Sequence, residues 1–288
     1  QYGQACALCA SAGMLLEACR YGRLGVEATT RRFGAASAPV ATARLQLANA
    51  LRQLGDLASA ISEAHDAVEI QRQVLPERSG DRAFGLSTLG AVELTAERFE
   101  DAYRHYGESA SIREALLGAD HPLVAYSLEA QAEAAMGLGR VSDALALLER
   151  SARVQEPLGI SERLADTRSL LAGALLALGR VPEALSNADR AVGIADSLYG
   201  HDGQFARHFR WNRLPMLISA GRTRDAFDDA EDMARTEARQ MEYTAATTSE
   251  REALAATETW AEALSPTLEL ATAVASPPDA AHRAWPVR

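Results

Sequence analysis

One phrase occurs five times along this chain and decides how the rest is read: Leu54-Gly55-Asp56-Leu57-Ala58-Ser59-Ala60, Ala96-Glu97-Arg98-Phe99-Glu100-Asp101-Ala102, Leu138-Gly139-Arg140-Val141-Ser142-Asp143-Ala144, Leu178-Gly179-Arg180-Val181-Pro182-Glu183-Ala184 and Ala220-Gly221-Arg222-Thr223-Arg224-Asp225-Ala226. The closing alanines are separated by 42, 42, 40 and 42 residues. A fixed period of this length marks an array of structural units, each burying its apolar face against its neighbours.

Twelve positions before each closing alanine stand Ala48, Gly90, Ala132, Ala172 and, in the last unit, Leu214. Seven positions after it stand Ala67, Ser109, Ser151, Ala191 and Met233. Small side chains at fixed points on two successive helices let their axes approach to the near end of the roughly 8–10 Å packing range. The glycine of the phrase falls where the first helix stops and the chain reverses, since glycine takes the left-handed backbone at little cost. Pro182 falls in the first turn of a second helix, where its missing N–H is harmless. A second set of junctions, Leu117-Gly118-Ala119-Asp120-His121-Pro122, Leu158-Gly159-Ile160-Ser161 and Tyr199-Gly200-His201-Asp202, closes each unit. The pattern is therefore a helical hairpin of about 42 residues, repeated.

Composition agrees. Alanine is roughly a fifth of the 288 residues, leucine is abundant and aromatics are 6%, which suits close-packed helices better than strands. The expected class is all-α, a right-handed α-α superhelix. Residues 1–41 are read as a repeat whose first helix is largely missing, because stepping back 42 from Gly55 and Ala60 lands on Gly13 and Ala18. Five hairpins follow at about 42–81, 82–122, 123–162, 163–202 and 203–242. Pro215 lies inside a first helix and is expected to kink it. A C-terminal helix packing on the array is expected over 243–276, capped by Ser249 and Glu252 and carrying Leu254, Trp260, Leu264 and Leu268. A linker or truncated helix start is expected over 277–288.

The residues of the repeating phrase resemble the tetratricopeptide repeat in its long form, as in kinesin light chain. The resemblance implies a tetratricopeptide solenoid that binds other polypeptides. The tail, Thr248-Ser249-Glu250-Arg251-Glu252-Ala253-Leu254-Ala255, then Leu268-Glu269-Leu270-Ala271 and Pro277-Pro278-Asp279-Ala280-Ala281-His282-Arg283-Ala284-Trp285, resembles the segment between repeats and peptidase domain in bacterial TPR-CHAT proteins. That likeness implies a fragment of a sensor or regulatory region. A caspase-like cysteine peptidase, with its His and Cys pair, would follow it, so no catalytic role passes to residues present here.

Charge and motifs narrow the function. The net charge of -10 opposes nucleic acid, whose binding rests on released counterions. All 29 basic residues are arginine, which points to a GC-rich, bacterial coding sequence. No apolar run reaches the roughly 18 residues needed to span a membrane. Cys6, Cys9 and Cys19 lack the paired spacing of a disulfide framework, and a reducing cytoplasm is the expected setting. Cys6 and Cys9 form a lone CxxC with no second half, so buried thiols are expected rather than a zinc or redox site. The histidines are scattered, and no phosphate loop, HExxH or GxSxG occurs. Catalytic residues, metal and cofactors are expected to be absent.

What remains is binding. In such arrays the first helices line the concave face. Counting from the anchor alanines places Asn49, Arg52, Phe84, Tyr126, Glu129, Glu133, Asp166, Ser169, His208, Trp211 and Asn212 on it. Tyr126 and Trp211 are the expected anchors, since aromatics dominate binding hot spots. Glu129, Glu133 and Asp166 point to a basic or arginine-bearing ligand. The acidic run Asp225, Asp228, Asp229, Glu231 and Asp232 reads as a solvated helix face. The expected partner is a protein or extended peptide in this groove, with an in-cis peptidase domain beyond it. The alternatives are a stand-alone adaptor or assembly protein, the regulatory region of another signalling protein, or an oligomerisation module.

Overall fold

A computed structural model describes residues 2–201 and 203–247. Among them are twelve α-helices and one 3₁₀ turn, with no strand. They divide into two compact units, 1–159 and 160 onward.

In the first unit, α1 (Tyr2–Ser11) and α2 (Leu15–Phe33) form a hairpin, followed by α3 (Ala38–Leu54) with α4 (Leu57–Val74), α5 (Gly80–Thr95) with α6 (Phe99–Leu117), and α7 (Pro122–Gly137) with α8 (Val141–Gln155). In the second unit, α9 (Glu162–Ala177) pairs with α10 (Val181–Tyr199) and α11 (Gln204–Ser219) with α12 (Thr223–Thr247). This is the all-α tetratricopeptide-type repeat fold expected from the period. The helix expected over 243–276 and the tail beyond it lie outside the described residues, except that 243–247 prolong α12 instead of starting a new element.

The anchor positions do what their size requires. Ala60, Ala102, Ala144 and Ala184 have no accessible surface, and Ala48, Ala132, Ala172, Ala67, Ser109 and Ser151 have none either. The turns follow one pattern. Gly55, Gly139, Gly179 and Gly221 adopt φ of 71–88°, and the next residue's N–H reaches back five positions, as from Asp56 to the Leu51 carbonyl at 3.0 Å. In the second phrase the same place is taken by Glu97, at φ 57°. Side-chain caps start several helices: Asp56 accepts from the Ser59 N–H, Ser79 from Arg82 and Ser161 from Leu164, each at 3.2 Å. Pro215 stands inside a first helix, where the sequence puts it. Helix α11 runs through it from Gln204 to Ser219 without a break, with Leu214, Met216 and Leu217 buried around it, so burial of that face outweighs the lost backbone bond.

Within the first unit the first helices of successive hairpins pack on one another, α1 on α3, α3 on α5 and α5 on α7. Their second helices make no comparable contact. The first helices therefore form the tight inner row, and the second helices splay apart behind them. No described helix is long and apolar enough to cross a membrane.

Candidate functional site

On the inner row of the first unit, Thr42, Phe84 and Tyr126 occupy the same repeat position on α3, α5 and α7. Thr42 and Phe84 are exposed and Tyr126 is half-buried. Phe84 leaves 49% of its surface open. Seven residues on, two turns along the same face, stand Asn49, half-buried, and Glu133, exposed. Arg52 is half-buried, and its Nε is enclosed without a hydrogen-bond partner.

These residues converge on one the sequence reading passed over. Tyr106, from α6, lies 2% exposed between the rows. Burial raises its phenol well above the usual range, Tyr126 and Glu133 add to that, and Arg52 opposes it. Arg52, Tyr126 and Glu133 thus share one electrostatic neighbourhood. The guanidinium of Arg113 sits 5.5 Å from the centre of the Tyr126 ring and donates to Ser127 Oγ at 2.7 Å and to the Leu123 carbonyl at 3.0 Å. The ring is held from behind.

Glu129 is not on this face. It is 5% exposed, accepts from Ser151 Oγ at 3.0 Å, and also from the Gln155 amide. A step of three residues from Tyr126 turns about 60° short of a full circle, which carries Glu129 off the open stripe and into the α7–α8 seam. Leu45 and Ser87, at the same repeat position, are buried as well. The acidic character expected of the groove loses that carboxylate and keeps Glu133.

The second unit brings three expected residues together across α9 and α11. The Asn212 amide donates to Ser169 Oγ at 3.1 Å and lies 3.1 Å from His208 Nε2. Burial against these helices pulls the His208 pKa below its usual value. Asp166 is exposed and Trp211 half-buried beside them. The acidic run of α12 is not simply solvated. Asp229 receives Arg213 at 2.7 Å and Asp232 lies 2.7 Å from His201 Nε2, tying α12 to α11 and to the preceding junction.

Of the thiols, Cys6 and Cys19 belong to a buried apolar cluster with Leu47, Ala48 and Leu51, with Cys9 packed at its edge. Among the described residues no group of three or more His, Cys, Asp or Glu is arranged to hold a metal ion.

A second polar feature was missed from sequence. Glu93 of α5 and His105 of α6 are buried together, Nδ1 to Oε2 at 2.6 Å. The signal was present: nine residues before the closing alanine, the other repeats carry Leu51, Ala135, Leu175 and Leu217, all buried apolar residues, and only this one carries an acid.

Two tetratricopeptide repeat family models match the chain, one over residues 40–80 and one over 81–156. No curated protein sequence matches it. Among solved structures, a Podosopora anserina protein of kinesin-light-chain type with nearly identical TPR-like repeats is similar at TM-score 0.64 and 20% identity, covering 69% of this chain and 95% of that one. BtubC from P. vanneervenii is similar at TM-score 0.67 and 18% identity, covering 78% and 92%. A Rap protein complexed with competence and sporulation factor gives TM-score 0.59 at 15% identity, covering 91% and 75%. Identities this low speak to the fold.

Proposed function

We propose that this chain is a non-catalytic protein- or peptide-binding scaffold that holds a segment of another polypeptide along its first-helix face. One observation carries the reading: Phe84 stands half-exposed on the inner row, between first helices that bring Arg52 and Tyr126 within electrostatic reach of one buried tyrosine, Tyr106. An open aromatic on the inner row, with a second aromatic and a guanidinium on the neighbouring first helices, is a binding hot spot in composition. That a Rap protein of similar fold is complexed with competence and sporulation factor is a fold-level precedent for ligand capture.

In the intact protein, the scaffold serves as the sensor or regulatory region of a larger effector. The resemblance of residues 248–285 to TPR-CHAT proteins names that effector as a CHAT peptidase. The competing reading is a stand-alone adaptor or assembly protein. The downstream reading frame separates the two: a His and Cys pair supports the peptidase, and a stop codon or further repeats supports the adaptor.

The binding claim has its own test. A photo-crosslinking amino acid placed at Asn49 in the full-length protein is expected to capture a polypeptide in the native host. Phe84→Ala and Tyr126→Ala, singly and together, are expected to weaken its binding, by about 1–3 kcal/mol for each true anchor. Unchanged affinity in the double variant, or peptide hydrolysis by the purified chain, counts against the proposal.

A further inference from the structure

The splay of α4 from α6 opens a cleft on the second-helix side of the first unit, opposite the inner row, with α5 as its floor. The cleft has a volume of about 230 Å³ and is lined by Ile61, His65, Val68 and Arg72 of α4, Leu89 and Glu93 of α5, and Arg98, Asp101, Arg104 and His105 around α6. It falls below the roughly 300–1,000 Å³ of ordinary small-molecule pockets, so its size suits a compact group.

Its chemistry is polarised between floor and rim. At the floor, the Glu93 carboxylate can only accept, so the Nδ1 hydrogen of His105 is directed to it. Nε2 is the ring nitrogen that remains, a donor only when the imidazole carries a second proton, on a residue 5% exposed that lines the cleft. At the rim, Asp101 takes Arg98 on one carboxylate oxygen and Arg104 on the other, each at 3.1 Å, and so holds both guanidiniums in place. Arg72 stands on the opposite wall, 3.7 Å from Glu69 and from Glu108, and His65 lies exposed on the same helix. Three guanidiniums thus face two lining carboxylates, in a chain whose net charge is -10.

A buried acid is costly and is retained where it has work beyond packing. The equivalent residue in the other four hairpins is apolar, so the repeat pattern itself does not call for an acid there. We propose that the α4–α6 cleft is a binding site for a compact oxyanion, phosphate or carboxylate, held by Arg98 and Arg104 at the rim and, at the floor, by a doubly protonated His105 that gives Nδ1–H to Glu93 and Nε2–H to the anion. The site opens on the second-helix side of the first unit.

The test uses the full chain, titrated with inorganic phosphate and separately with acetate, at constant ionic strength in chloride. The readouts are the ¹H–¹⁵N imidazole resonances of His105 and the backbone amide resonances of α5 and α6, the latter serving where His105 is replaced. A saturable shift is expected with phosphate, and a matching one with acetate would widen the ligand class to carboxylates. Arg98→Ala/Arg104→Ala removes two exposed side chains from the rim and should weaken binding at least about tenfold, the loss of one to two charge-assisted contacts. His105→Gln keeps a donor for Glu93 and should also weaken it. Failure of both anions to give a saturable shift overturns the proposal, as does an affinity unchanged within about twofold in both variants.

Discussion

The backbone of Gly90 lies against the ring of Tyr106: a β-carbon built on the glycine would meet two ring carbons at 3.0 Å. The two residues depart from the repeat together. Where Gly90 stands the other regular repeats carry Ala48, Ala132 and Ala172, and where Tyr106 stands they carry Ala64, Leu148 and Ala188. A ring inserted into α6 is accommodated by one methyl removed from α5.

Gly90→Ala should therefore destabilise the first unit by about 1–3 kcal/mol, the usual cost of overpacking, despite the better helix propensity of alanine. Gly90→Ala combined with Tyr106→Leu restores the arrangement of the neighbouring repeat and should recover most of that loss. Urea unfolding of the two variants checks the coupling. Additive effects would mean that the contact does not constrain the pair.

Glu97 holds the left-handed conformation that glycine holds in the equivalent turns. A non-glycine residue there costs about 1–2 kcal/mol, partly offset because glycine loses more entropy on folding. Glu97→Gly should stabilise by roughly 0.5–1 kcal/mol and raise the thermal midpoint. Glu97→Val should lower it, since a branched β-carbon worsens the same clash.

Glu93 and His105 are worth little as a pair and much as individuals. His105→Leu leaves a buried carboxylate without its partner and is expected to cost about 3–5 kcal/mol, whereas Glu93→Leu/His105→Leu should be near neutral or stabilising by about 1–4 kcal/mol. A calorimetric cycle over the four proteins measures this. If the double variant is as unstable as His105→Leu, the pair is a structural requirement, and the case for its retention as a site falls with it.

Burial raises the Cys6 thiol, with Cys19 and Cys9 adding to it, and burial raises Cys19 against the pull of Arg23. Neutral thiols react slowly. Iodoacetamide at mildly alkaline pH should label the half-buried Cys9 first, with Cys6 and Cys19 following only as α1 and α2 open. The linkage has a definite sign. An unfolded chain ionises Cys6 and Cys19 at lower pH than the folded one, so the stability they contribute is present below the usual thiol range and is lost as pH rises from there through the raised values of the folded chain. Mass spectrometry after short labelling, read against pH, decides the order.

Period, anchor alanines and turn glycines could be read from the order of residues because hairpin packing is local: each unit meets its neighbours at a fixed spacing, so the contacts recur in the sequence as a rhythm. Pro215 is held within α11 because Leu214, Met216 and Leu217 bury that helix face, a gain that propensity, which counts only the lost backbone bond, does not register. Glu129 was misplaced because three residues along a helix fall short of a full turn, and that remainder decides between the open stripe and the seam with α8.

The array of helical hairpins was thus settled by the chain alone, since small residues at constant intervals permit little else. Which polar groups meet was settled only on folding. Arg52, Tyr106 and Tyr126 come from three different helices, and the Glu93–His105 pair became a cleft floor only because α4 and α6 diverge around it. Such meetings depend on the angle between neighbouring repeats, a geometric quantity that leaves no period in the sequence.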